Sequence, residues 1–388
     1  MLRHPRRRRR VLYGIVIATL LLTSALFALI QFQPRQAFAY FSDRHSHYFP
    51  TSISTLQPTS TSVDSATPTL TPTGTGDLQL FVEPAAGEQV ILDAIHNAHQ
   101  SVWLEMYLLT DNNSIQALED AAGRNVNVRV MLEQNPFGGG SPQATLDALK
   151  AAGASTEFTN PSFKITHEKG MIIDGNTAFI MTSNFTYSAL NGKNREYGII
   201  DTVPQDVKEV TDIFNADWDR STVQLSDDNL VVSPVNARND LTTLISSAQK
   251  SLIVEAEELY DTNIAQAIAA DAQRGVQVQV ILPTPQKQPD YNDSGITTIK
   301  AAGAQVKEDP QLIMHAKMVV VDGKQAFVGS ENFSSASLDS NRELGLLFSD
   351  PQSISTLQQT FDQDWTVSNS QIDTGYRASS NVSQCATV

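Results

Sequence analysis

Two stretches of this 388-residue chain are near copies of each other. Residues 167–185 read HEKGMIIDGNTAFIMTSNF, and residues 315–333 read HAKMVVVDGKQAFVGSENF. In each, a Lys follows the His by two positions, an Asp follows that Lys by five, and an Asn follows the Asp by ten. The duplication reaches well beyond these stretches. SVWLEMYLL at 101–109 matches SLIVEAEEL at 251–259, AAGRNVNVRVML at 121–132 matches DAQRGVQVQVIL at 271–282, and LKAAGA at 149–154 matches IKAAGA at 299–304. NREYGII at 194–200 and FNADWD at 214–219 return as NRELGLL at 341–347 and FDQDWT at 361–366. A chain that repeats its parts in one order must fold as two like units, and repeated polar residues can then meet in one shared site.

The repeated stretch is readable locally. Met171–Ile173 and Met318–Val321 are short, apolar and largely β-branched, as buried strands are. Asp174-Gly175 and Asp322-Gly323 then signal hairpin turns, with return strands over 177–183 and 325–330. Residues i and i+2 of a strand share a face, so His167 projects with Lys169 and His315 with Lys317. Thr182 and Asn184, or Ser330 and Asn332, close each return strand near the same end. Each copy thus gathers a nucleophile or proton carrier, a fixed positive charge and neutral hydrogen-bonding groups. That set suits a phosphate diester.

Around it, apolar periodicity predicts helix over 88–99, strand over 102–107, helix over 114–122, strand over 126–132 and helix over 142–152. The hairpin comes next, and a helix over 205–218 closes the repeat. Alternating helices and apolar strands predict an α/β fold, mostly parallel near the start of each repeat. The loops after the second strand differ between repeats, NPFGGGSP at 135–142 and PTPQKQPDYNDSG at 283–295, and are candidates for substrate selection.

The ends of the chain read differently. Arg3 and Arg6 to Arg10 precede Val11 to Ile30, a run without charge. Such a run matches a bilayer core, and its basic flank predicts export of the rest of the chain. Ala37-Phe-Ala39 would serve as a cleavage site if residues 1–39 were a signal peptide, but the length of the run favours an uncleaved anchor. Residues 40–77 form a Ser/Thr/Pro-rich linker, and 369–388 a polar tail expected to be disordered. His45 and His47 offer too few ligands for a metal site. Cys385 is the only cysteine, so no internal disulfide forms. The expected folded body is 78–222 and 223–368. Net charge is -15, and residues 1–39 hold seven Arg, no Lys and no acid, which makes the remainder -22. So acidic a body disfavours non-specific binding to nucleic acid.

The pattern HxKxxxxD followed by GSxN resembles the phospholipase D superfamily, the HKD phosphodiesterases. The second copy fits at His315, Lys317, Asp322, Gly329, Ser330 and Asn332. The first fits at His167, Lys169, Asp174 and Asn184, with Met181 and Thr182 in place of Gly-Ser, where Met181 is expected to add bulk near the site. The resemblance implies two α/β halves packed about a pseudo-twofold axis, their motifs facing each other at the interface. It further implies a phosphohistidine on one His, here His167, with His315 as acid and base. Lys169, Lys317, Asn184 and Asn332 would stabilise the phosphoryl charge, and Thr182 and Ser330 would support them. Glu196 and Glu343 would orient the imidazoles. No metal or other cofactor is required, because the cationic side chains supply the electrostatics.

Each reading has a plainer rival. A His among apolar strand residues is usually a core His, but His-x-Lys recurs here at matching places. Asp174 and Asp322 precede Gly in turns and are read as scaffold. Glu105 and Glu255 match on buried strands and either support the site or pair with Arg. Asn184 and Asn332 also fit glycosylation sequons, a reading rejected because they would face the phosphate. The expected activity is an exported phospholipase D that releases phosphatidic acid and a head-group alcohol at a membrane surface. The alternatives are a phosphatidyltransferase of the cardiolipin synthase kind and an HKD nuclease. One chain suffices to build the site, so the expected state is a monomer with no obligate protein partner.

Overall fold

The computed structural model describes residues 77–369, apart from Gly139 and residues 286–288. The basic block and apolar run, the linker with His45 and His47, and the tail with Cys385 lie outside the described residues. No described helix is long and apolar enough to cross a membrane.

The first half runs β1 (Leu78–Glu83), α1 (Gln89–His96), β2 (Ser101–Met106), α2 (Asn112–Gly123), β3 (Asn127–Leu132), α3 (Gln143–Ala151), β4 (Ser155–Phe158), β5 (Lys169–Ile173), β6 (Thr177–Met181), α4 (Tyr187–Leu190), β7 (Asn194–Asp201) and α5 (Pro204–Trp218). The second half runs β8 (Leu230–Ser233), α6 (Ala237–Ser246), β9 (Ser251–Ala256), α7 (Thr262–Gln273), β10 (Gln277–Pro283), α8 (Asp293–Ala301), β11 (Gln305–Asp309), β12 (Ile313–Met314), β13 (Lys317–Val321), β14 (Gln325–Gly329), α9 (Ser335–Asp339), β15 (Glu343–Phe348) and α10 (Pro351–Val367). The helices and strands expected from periodicity are present within a few residues. The opening strands β1 and β8 were not anticipated. Both are edge strands, antiparallel to β7 and β15.

The two sheets have one topology, β1-β7-β6-β5-β2-β3-β4 and β8-β15-β14-β13-β9-β10-β11. β2, β3 and β4 are parallel, as are β9, β10 and β11, while the hairpin strands run antiparallel. Asp111 and Asp261 cap α2 and α7 by accepting backbone N–H groups of the first turn, which sets where those helices begin.

The unbroken apolar strands have a reason in strand parity. Met171, Ile173, Phe179 and Met181 pack with α1, α2 and α3 in the first half's own core. Ile172, Ala178 and Ile180 point the other way, into a core shared with Met318, Val320 and Val328 of the second half. Val319 and Val321 complete the pattern by packing with α6, α7 and α8. Every second residue therefore serves a different core, so both faces must be apolar. The shared core joins the halves and sets the ends of their strands against each other.

Candidate active site

The segments leading into the two His residues do not stay with their own sheets. Ile313 and Met314 of β12 lie parallel to Asn194 and Arg195 at the start of β7. Thr166 bridges in parallel to Arg342, just before β15. The His167 N–H donates to the Arg342 carbonyl at 2.8 Å, and the His315 N–H to the Arg195 carbonyl at 3.3 Å. Each His is thus placed beside the strand of the opposite half that carries a buried Glu.

The acid partners are therefore crossed. His167 Nδ1 lies 3.0 Å from Glu343 Oε2, and His315 Nδ1 lies 2.8 Å from Glu196 Oε2. Asn194 and Thr182 donate to Glu196 at 2.9 and 2.7 Å. Ser337 and Asn341 donate to Glu343 at 2.7 and 3.2 Å. Burial opposes ionisation of both carboxyls, yet the facing imidazoles outweigh it and hold them below the usual range. With Nδ1 committed, Nε2 of each ring is the nitrogen left for chemistry. Burial lowers the pKa of His167, which favours its neutral, nucleophilic form.

Lys169 and Lys317 are buried at the first residues of β5 and β13. Each folds back so that Nζ donates to the carbonyl of its own His, at 2.7 Å for Lys317. Burial pulls Lys169 down to about 7, against the attraction of Glu343. His167 meets Glu343 of the second half and His315 meets Glu196 of the first, so the two motifs are built into one interface. Asn184 and Asn332 are 7% exposed, and Oδ1 of each is buried without a hydrogen-bond partner. A glycan could not be attached at such positions.

Other expectations resolve in detail. Asp174 and Asp322 occupy left-handed turns at φ 52° and 53°. Asp174 accepts the N–H groups of His99, Gln100 and Ser101, and Asp322 those of Gln249, Lys250 and Ser251. They tie the hairpin to the start of the neighbouring strand. Ser330 Oγ accepts the Leu344 N–H at 3.0 Å. The expected crowding by Met181 does not occur, because its strand parity turns it into the first half's core. At the matching Gly329, a Cβ would fall 2.4 Å from Glu331 Oε2 and 2.5 Å from the Gly345 Cα. The first half carries Ser183 in place of Glu331, and its room goes to Met181. Neither Glu105 nor Glu255 hydrogen-bonds Arg: Glu255 accepts from the Tyr197 hydroxyl at 2.6 Å, and both Glu105 oxygens are without a partner.

Three sets of residues escaped sequence reasoning. Arg195 forms a two-pronged pair with Asp364 at 2.6 and 2.8 Å, and Arg342 meets Asp217 at 2.7 and 3.0 Å, both between the halves. Their signal was the repeated NRE and DW. The second set is a residue exchanged between repeats. Tyr107 stands edge-on to His167 at 4.6 Å between ring centroids, and its hydroxyl accepts the Phe137 N–H at 2.7 Å. In the second half the matching Glu257 places Oε2 2.7 Å from Lys317 Nζ and 3.3 Å from His315 Nε2. Burial opposes its ionisation, but His315 and Lys317 hold the carboxyl far below the usual range. Both candidate loops reach this position, 135–142 through Phe137, and 283–295 through Asn292 Nδ2, which donates to the Glu257 carbonyl at 3.1 Å.

The third set, Glu168 and Asp217, joins Glu105 in a group of buried acids. Glu105, Glu168 and Asp217 bring oxygens within 4.8 Å of one another, close enough for a shared cation. Arg342 already answers Asp217. Burial raises Glu105 well above the usual range and pushes Glu168 up to about 8, so both resist ionisation.

A family described as "Cardiolipin synthase, PLD-like domain" matches residues 91–218 and again 241–365. A cardiolipin synthase of Oceanobacillus iheyensis is 24% identical over 332 residues, 74% of this chain and 68% of its own. A mitochondrial cardiolipin hydrolase of Mus musculus is 33% identical over 106 residues, 26% of this chain and 46% of its own. The chain spans from 25% to 68% of the length of the curated cardiolipin synthases it matches. Among solved structures, a phosphatidylserine synthase of Haemophilus influenzae shares the fold, with a TM-score of 0.59 at 15% identity over 77% of this chain and 88% of its own.

Proposed function

Because this chain belongs to the phospholipase D superfamily, we propose that it transfers a phosphatidyl group between alcohols, in the manner of a cardiolipin synthase. The observation that carries the reading is the pair of His-Lys motifs, each imidazole held at Nδ1 by a Glu of the opposite half. Such a site offers two Nε2 atoms to one phosphorus, with two Lys side chains beside it. His167 would attack phosphorus, and His315 would protonate the departing alkoxide and then take the proton of the acceptor. Lys169, Lys317, Asn184 and Asn332 would stabilise the equatorial phosphoryl oxygens, and Thr182 and Ser330 would fix the strand ends beneath them.

The similarity to cardiolipin synthases over most of the folded body supports transfer over the hydrolysis expected from sequence. Hydrolysis remains the second reading, favoured by the similarity to cardiolipin hydrolases over about a quarter of the chain. A lipid substrate implies work at a membrane surface, and the apolar run at 11–30 supports an anchor there. Incubation of the full chain with phosphatidylglycerol vesicles tests the reading. Cardiolipin and free glycerol are the expected products. Phosphatidic acid as the only lipid product would replace transfer with hydrolysis, and cleavage of single-stranded DNA with lipids left intact would overturn both.

A further inference from the structure

We propose, on the basis of the transfer reading above, that Glu257 forms a subsite for a second hydroxyl of the incoming alcohol and so selects a polyol over a simple alcohol as acceptor. The argument begins with the break in symmetry. Position 107 in the first half and position 257 in the second directly follow the equivalent strands β2 and β9, yet one carries a phenol and the other a carboxylate. Among the described residues, the one carboxylate paired with His167 is Glu343, at Nδ1. His315 has a carboxylate at each nitrogen, Glu196 at Nδ1 and Glu257 at 3.3 Å from Nε2.

Glu257 is placed to meet a ligand. Its side chain is 28% exposed, against 15% for His315 and 1% for Lys317. Its backbone is fixed by Asn292, which donates to the Glu257 carbonyl at 3.1 Å and accepts the Leu259 N–H at 2.7 Å. Both described ion pairs of the carboxylate use Oε2, which leaves Oε1 to accept from elsewhere. An ionised carboxylate accepts hydrogen bonds and donates none. It repels a phosphate diester and attracts a hydroxyl. The phosphoryl group therefore belongs toward His167 and Lys169, and the alcohol toward Glu257 and His315.

An acceptor with hydroxyls on adjacent carbons satisfies this geometry. In the transfer step, a bond forms between one acceptor oxygen and phosphorus while the bond from phosphorus to His167 Nε2 breaks. The electron pair returns to that nitrogen, and the acceptor proton passes to His315 Nε2. The neighbouring hydroxyl meanwhile donates to Glu257. An alcohol with one hydroxyl lacks that bond. A hydrogen bond to a charged group supplies a preference of about tenfold to a hundredfold.

The test is competition within one reaction. Full-length protein, phosphatidylglycerol vesicles, and equal concentrations of 1,2-propanediol and 1-propanol are combined, and the two phosphatidyl alcohols are counted. The wild type should favour the diol about tenfold or more. Glu257→Gln should bring the ratio near two, the statistical value for two hydroxyls against one, and Glu257→Asp should fall between. Because the ratio is internal to each reaction, a general loss of activity does not move it. A wild type indifferent to the second hydroxyl overturns the subsite, as does a Gln variant that keeps the preference or a variant that gains rate with its ratio unchanged. Phosphatidic acid with no phosphatidyl alcohol at all refutes the transfer reading, and the subsite with it.

Discussion

The two halves of this molecule share strand order, hairpins and a His-x-Lys motif, and they differ in what surrounds the motif. The first half sets His167 against the Tyr107 ring and carries Glu168 beside it. The second sets His315 against Glu257 and has Ala316 where the first has Glu168. One backbone, used twice, thus presents two chemically identical imidazoles to unlike neighbours. A catalyst that needs a nucleophile and a proton carrier gains both from a duplicated part, provided a few side chains around it diverge.

The largest effect should come from the imidazoles. His167→Ala and His315→Ala should each lower turnover by about a thousandfold or more. The difference between the halves appears on quenching with labelled lipid: His315→Ala should retain a labelled protein adduct, and His167→Ala none. Label trapped equally in both variants would mean that the halves are interchangeable.

The inter-half ion pairs sharpen the comparison through stability. Asp364→Ala leaves Arg195 buried and unpaired and should cost about 3–5 kcal/mol in urea unfolding. Asp217→Ala strands Arg342 in the same way, and because each Asp faces a matching buried Glu, Glu105 or Glu255, the two costs should be similar. A much smaller cost for Asp217→Ala would show that Glu168, the acid with no counterpart in the second half, carries charge beside it.

Crossing of the orienting acids is tested by a double-mutant cycle. Glu343→Gln should lower activity by about tenfold to a hundredfold, as loss of a ring-orienting partner does. In urea unfolding its effect should shrink in a His167→Ala background, whereas that of Glu196→Gln should be unchanged there. The reverse result would return each Glu to the His of its own half.

The smallest effect concerns Glu168, whose folded-state carboxyl is pushed up from 4.5 to about 8 by burial. Between those values the unfolded chain gives up the proton while the folded chain keeps it. The stability this proton-bearing acid contributes is therefore full below about pH 4.5 and gone as pH rises through about 8. Glu168→Gln never ionises, so it should raise Tm at pH 8, by something of the order of 5 °C, and leave it unchanged at pH 4. A shift of equal size at both pH values would exclude ionisation as the cause.

Much of this was readable before any coordinates. Periodicity located the helices and central strands, since a buried strand or amphipathic helix writes its own repeat into the chain. β1 and β8 were missed because short edge strands write a weak one. Asp174 and Asp322 were read as scaffold from a local turn signal, and their backbone bonds are of that kind. The bulk of Met181 lies in the first half's core and not beside the site, because Phe179 and Met181 share the face of β6 that packs on the helices.

The chain by itself dictated the duplicated architecture, the hairpins, and which His, Lys, Asn and Glu residues would be polar within apolar surroundings. All of these are set by neighbours a few positions away or by the copying itself. Folding alone settled that each Glu serves the His of the other half, that Arg195 and Arg342 reach across to Asp364 and Asp217, and that Glu257 enters the site. Such contacts join residues tens to well over a hundred positions apart. They arise because two sheets bury their inner faces against each other, and nothing in local spacing records which strand ends that burial brings together.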